Sequence, residues 1–142
     1  MDNAKLMSFP EDSEGQTANR KLSIRWGGHD ELFGRPEGWL GVPDAFLRHC
    51  STLQPYGLTA SEAMFVLQLM TFKWSATAPF PSYKTIAARM GITDKMARRY
   101  AAALEGKGYL RRQSRIGSTN SFDLQPLFDA LKRAIGTERK AA

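Results

Sequence analysis

A single cysteine, Cys50, in 142 residues rules out an intramolecular disulfide and fits a reducing compartment. No apolar run approaches the roughly 20 residues of a membrane-spanning helix, and the opening residues lack the apolar core of a secretion signal. The expectation is a soluble cytoplasmic protein with no membrane partner. Histidine is scarce: His49 beside Cys50 and His29 beside Asp30 are adjacent pairs without further ligands, and neither makes a metal site. A P-loop, a paired-cysteine motif, H-E-x-x-H and G-x-S-x-G are all missing. Nothing pairs the N-terminal acids with a base. The chain reads as a non-enzyme with no cofactor and no metal.

What the chain does have is basic charge, unevenly placed. It carries 20 Lys and Arg against 14 Asp and Glu, a net charge of +6 and a pI near 9.7. Residues 84–115 hold nine bases and two acids, a local +7, whereas residues 1–37 hold five bases and seven acids, a local −2. A polyanionic partner would meet the first of these stretches. Hydrophobic residues reach 42%, enough for a core, and the length suits one compact domain plus an extension.

The basic stretch sits in residues 81–110, PSYKTIAARMGITDKMARRYAAALEGKGYL. Ser82, after Pro81, is an N-cap. Ile86, Ala87 and Met90 share one apolar helix face. Gly91 suits the left-handed position that closes a helix, and the apolar Ile92 would plug the space between two helices. Thr93 caps the next helix, with Asp94 complementing the dipole in its first turn. That helix is expected to run to about Lys107, where Gly106 and Gly108 break it. Ala97, Tyr100, Ala101 and Leu104 fall on one side, flanked by Met96; Lys95, Arg98, Arg99 and Ala102 fall on the other. Two helices meeting through a short glycine turn, the second basic outward, form a helix-turn-helix suited to the DNA major groove.

The rest of the chain divides around this unit. Residues 1–20 read as a mobile polar tail, 21–57 as an extension packing on the domain, 58–136 as the domain and 137–142 as a basic tail. Residues 21–26 alternate, with Leu22, Ile24 and Trp26 on one side, and predict a short half-buried strand; residues 39–42 predict a second. Pro43 or Asp44 starts a short helix carrying Ala45, Phe46, Leu47 and Cys50, and Pro55-Tyr56-Gly57 makes a turn. Thr59 and Glu62 form a capping box for a strongly apolar helix over residues 58–74, whose stripe is Ala63, Val66, Leu67, Met70 and Trp74. Residues 78–81 are a rigid connector. Residues 109–116 and 121–124 predict an antiparallel hairpin around a polar turn, with Phe122 and Leu124 inward like Leu110. Pro126 opens a final helix, expected to end at Gly136. The fold class is mainly α with a small β-hairpin wing (α+β), a winged helix-turn-helix.

Residues 81–110, followed by the wing R-x-G-S-T-N-S-F-D-L, resemble the winged helix-turn-helix proteins of bacterial mobile elements. They are similar to the N-terminal DNA-binding domains of plasmid and phage replication initiators, with P-S-x-x-x-[IL]-A, a glycine-centred turn, L-E-x-K-G-[YL]-[IL] and a wing ending S-N-x-[YF]-x-L. The resemblance covers about residues 58–130. Ala97 and Ala101 depart from it, since such helices commonly carry larger apolar residues there.

The resulting expectation is sequence-specific binding of double-stranded DNA, in a transcription regulator or a replication or transfer initiator. Lys95, Arg98 and Arg99 would reach base edges, where arginine can grip guanine. Ser82, Tyr83 and Lys84 would hold phosphate at the start of the preceding helix. Arg112, Arg115, Ser118 and Asn120 would place the wing on the backbone or in the minor groove. A homodimer and other replication or transcription proteins are further candidate partners. The rival reading is a protein-interaction module using the winged-helix surface; an RNA-binding role is disfavoured by a wing without interleaved aromatics.

Overall fold

The computed structural model describes residues 13–35, 38–72, 81–114, 117 and 119–141. They form two compact units, Met1–Gly41 and Val42–Ala142.

In the N-terminal unit, helix α1 (Ser13–Arg25) turns through Gly27 and Gly28, both at positive φ, into the single-turn helix α2 (Asp30–Phe33). Residues 21–26 are therefore mostly helix and not the expected strand. The alternation of Leu22, Ile24 and Trp26 spans less than two helical turns and does not mark the inward face. That face is polar: Asn19 and Ser23, four residues apart, are 8% and 1% exposed, while Ile24 and Trp26 are 67% and 65% exposed. Ser23 Oγ donates to Asp30 Oδ1 at 2.5 Å, and the Trp39 indole N–H donates to Asn19 Oδ1 at 2.5 Å. Residues 39–42 form no strand either; they lie in irregular chain held in part by that indole bond. A boundary at residue 20 falls inside α1, and residues 42–57 belong to the second unit.

The second unit runs α3 (Asp44–His49), a 3-10 turn (Cys50–Thr52), α4 (Ala60–Met70), α5 (Tyr83–Met90), α6 (Asp94–Gly106), β1 (Arg111–Gln113), β2 (Ser121–Asp123) and α7 (Gln125–Ala141). The two strands pair antiparallel, Arg112 opposite Phe122. This is a mainly helical fold with a hairpin wing, as the sequence predicts. Of the residues expected in the hairpin, Tyr109, Leu110 and Leu124 lie outside the ladder and are buried in the core, and residues 115–116 lie outside the described residues.

Helix α4 lies at the centre of the core. Phe65, Val66 and Leu69 are fully buried among Phe46, Ile86, Leu104, Phe122 and Leu127, and Phe65 meets Phe122 edge to face at 6.4 Å. Its capping box forms as expected, with Thr59 Oγ1 accepting from the Glu62 N–H at 3.1 Å and Glu62 Oε1 accepting from the Thr59 N–H at 2.8 Å. Met70 ends it; Trp74 and connector residues 78–80 lie outside the described residues. Before it, Gly57 passes so close to Ser51 that a Cβ would sit 2.0 Å from that carbonyl oxygen, which leaves room for glycine alone.

The buried Glu62 carboxylate also takes the Lys107 ammonium at 2.6 Å, and Lys107 donates to the Gly57 carbonyl at 2.8 Å. The Tyr109 hydroxyl donates to the Tyr56 carbonyl. The trailing end of α6 is thus fixed to the segment that leads into α4. At the far end of the chain, α7 does not stop at Gly136 but continues to Ala141, so the residues expected as a basic tail are helical through 141. Gly136 is not at positive φ, and a mid-helix glycine costs only about 1 kcal/mol against alanine. Leu127, Ala130 and Leu131 bury the helix's inner face, and His49 Nε2 lies 3.2 Å from Glu138 Oε2 beyond the glycine. Among the described residues, no helix is long and apolar enough to cross a membrane.

Candidate nucleic-acid interface

The turn between α5 and α6 forms as its residues require. Ser82 Oγ accepts from the Thr85 N–H at 3.1 Å and Thr93 Oγ1 from the Met96 N–H at 3.2 Å, so both helices start on side-chain caps. Gly91 takes φ +68°, the left-handed conformation that ends α5. Ile92 is half-buried and packs against the core. Ala97, Ala101 and Leu104 are completely buried. The two alanines that depart from the resemblance are therefore core residues, and small side chains there suit a close approach of α6 to its neighbours.

That packing leaves Lys95, Arg98, Arg99 and Ala102 on the exposed side of α6. The Arg98 guanidinium lies 5.6 Å from the centre of the Tyr83 ring, and Arg99 Nη1 reaches Met96 Sδ at 3.9 Å, within its own helix. Lys84 is exposed at the start of α5. Other bases of the charged stretch are engaged inside the domain. Arg89 covers the Phe72 ring at 4.4 Å and donates to Thr71, Lys107 pairs with Glu62, and Arg111 lies 3.6 Å from Asp123.

Tyr83 joins the helices to the wing. Its ring packs edge-on against Phe122 at 5.8 Å. Its hydroxyl accepts from Arg112 Nη1 at 3.0 Å and from Asn120 Nδ2 at 3.4 Å. Arg112 also grips Glu105 at the end of α6: Nη2 and Nε donate to Oε1 at 2.7 and 3.2 Å, and the backbone N–H donates to Oε2 at 3.3 Å. Those bonds hold the Glu105 carboxyl below its usual pKa, and Glu105 followed by the Tyr83 hydroxyl raises the Arg112 guanidinium above its own.

An open cleft of about 300 Å³ connects these parts. Ser82, Tyr83 and Lys84 line one side, Arg98 and Asp94 a second, and Asn120 and Thr119 the wing side. Five of the ten residues singled out in the sequence thus converge on one space. Lys95 and Arg99 lie on α6 outside the cleft lining, and Arg112 is turned to Glu105 and Tyr83. Arg115 and Ser118 lie outside the described residues. The residue that sequence reasoning missed is Glu105. An acid on the last turn of a basic helix gives no local signal, because its partner is seven residues on, past a helix end and a glycine turn. Among the described residues, no three of His, Cys, Asp and Glu gather into a metal-sized cluster.

Residues 56–110 match the family model described as a helix-turn-helix domain. The fold is a winged helix-turn-helix. Among solved structures, the N-terminal domain of DnaD protein from Geobacillus kaustophilus is similar, with a TM-score of 0.59 and 22% identity over 85% of this chain and 94% of that one. At that identity the likeness is one of fold. No curated protein matches the sequence.

Proposed function

We propose that this protein binds double-stranded DNA sequence-specifically, with α6 in the major groove and the wing beside it, as a transcription regulator or a replication or transfer initiator of a mobile element. The observation that carries the reading is the division of α6. Ala97, Ala101 and Leu104 are buried, and Lys95, Arg98 and Arg99 stand exposed on the other side. The match of residues 56–110 to a helix-turn-helix domain supports it, and the resemblance to plasmid and phage initiators suggests the mobile-element setting. Lys95, Arg98 and Arg99 are assigned to base edges, Ser82, Tyr83 and Lys84 to phosphate, and Asn120, with Arg115 and Ser118, to the wing contact.

Site selection from random duplexes, followed by a salt titration on the selected site, tests this. For about four neutralised phosphates, the log–log slope should be near −4. A flat titration, or no enrichment of any sequence, removes the reading.

A second reading has its own observation. Ile24, Trp26, Leu32, Trp39 and Leu40 of the N-terminal unit are exposed apolar side chains, which suits a protein partner, whether a second copy or another replication or transcription protein. Sedimentation of the free protein and of its DNA complex separates these cases.

A further inference from the structure

A winged helix is expected to use a wing arginine on the DNA backbone, and Arg112 has the position for it. Its bonds point elsewhere. All three nitrogens of the guanidinium, and the residue's own backbone N–H, are committed to Glu105 and Tyr83. These two partners lie on different helices, the end of α6 and the start of α5. Arg112 itself is the middle residue of β1, opposite Phe122, and Asn120, just before β2, donates to the same Tyr83 oxygen. Arg98 of the reading face lies over the same ring. One arginine therefore ties the first wing strand to both helices of the helix-turn-helix.

We infer that Arg112 is a positioning residue, which with Glu105 and Tyr83 fixes the wing against α6, so that the acid Glu105 strengthens binding to duplex DNA. The physical argument is one of geometry against charge. Lysine could supply the same charge to a phosphate, but its single ammonium cannot reproduce the spread of three nitrogens by which Arg112 spans Glu105 and Tyr83. An acid beside a polyanion is unfavourable at long range. Glu105 is the acid of that surface that Arg112 holds, and its cost to DNA binding is offset when the pair keeps the wing from swinging away.

The inference rests on the DNA-binding reading for its affinity measurements, so the test includes one readout without DNA. The Arg112 amide, which donates to Glu105 Oε2, should exchange slowly with solvent in the wild type and at least about tenfold faster in Glu105→Gln, with the melting temperature within a few degrees. On the selected duplex, Glu105→Gln and Arg112→Lys should each weaken binding about five- to tenfold, and the double variant should be no weaker than either single one. Unchanged amide exchange in Glu105→Gln overturns the inference. So does tighter binding by Glu105→Gln with a salt slope about one unit steeper, joined to near-normal binding by Arg112→Lys, which is the pattern of a direct phosphate contact. If exchange accelerates but the wild type selects no duplex, the tie stands and the DNA reading fails.

Discussion

The two units of this chain are built in opposite senses. In Val42–Ala142, the described interior is almost wholly apolar, from Phe46 to Leu131, with Glu62 as its one buried charge. In Met1–Gly41, the buried described residues are Asn19 and Ser23, while Ile24, Trp26, Leu32, Trp39 and Leu40 stand exposed. The first arrangement is that of a domain stabilised by its own core. In the second, the bond from Ser23 to Asp30 joins the two helices, the bond from Trp39 to Asn19 ties irregular chain to α1, and the described large apolar side chains Ile24, Trp26, Leu32, Trp39 and Leu40 face outward. Hydrogen bonds of this kind contribute only about 1 kcal/mol each, and among the described residues of the N-terminal unit little burial adds to them. Its apolar side chains are available for something other than a core.

That contrast can be broken by substitution, and the largest effect should come from the apolar interior. Phe65→Ala removes a fully buried ring at the centre of α4 and should destabilise the second unit by about 3–5 kcal/mol in a denaturant melt. A loss below 1 kcal/mol would mean that the core is not organised around this helix. Arg98→Ala and Arg99→Ala should leave the melt unchanged but cost about 1–3 kcal/mol on the selected duplex and much less on random duplex, relaxing one base position. If site preference survives both changes, α6 is not the reader. Thr93→Ala removes the α6 cap and should cost about 1 kcal/mol of stability, seen as a lower midpoint with the same slope. The smallest effect is expected in the N-terminal unit. Trp26→Ser should shift stability by no more than about 0.5 kcal/mol, because the ring is already in solvent. A loss of 2 kcal/mol in that variant would show that the ring is covered, and the contrast between the units would have to be redrawn.

The helix-turn-helix was legible because its instructions are local. Ser82, Gly91 and Thr93 each act within four residues of their own position, and the buried set Ala97, Ala101 and Leu104 recurs at helical spacing. Helix α1 was not legible because its inward face consists of Asn19 and Ser23, which a search for apolar periodicity passes over. Leu22, Ile24 and Trp26 then supply a misleading alternation. The end of α7 was misread for a related reason: Gly136 is a stop signal only where the chain takes positive φ, and here it stays helical, with His49 meeting Glu138 beyond it. At the interface, the sequence located the charge but could not sort it. Arg89, Lys107, Arg111 and Arg112 have partners 18, 45, 12 and 7 residues away in the chain, and such distances leave no periodic trace.

The anchoring of α6 to the segment before α4 has a bearing on the order in which the protein is made. Glu62 and the carbonyls of Tyr56 and Gly57 leave the ribosome first, and Lys107 and Tyr109, which complete those bonds, follow 45 to 53 residues later. Until then, a carboxylate destined for the interior has no cation, and α6 has nothing to hold its trailing end. A chain interrupted just short of Lys107 carries the basic helix but not the lock that fixes it. Unfinished copies should therefore be open to proteases, so that stable chains are those synthesised past the lock.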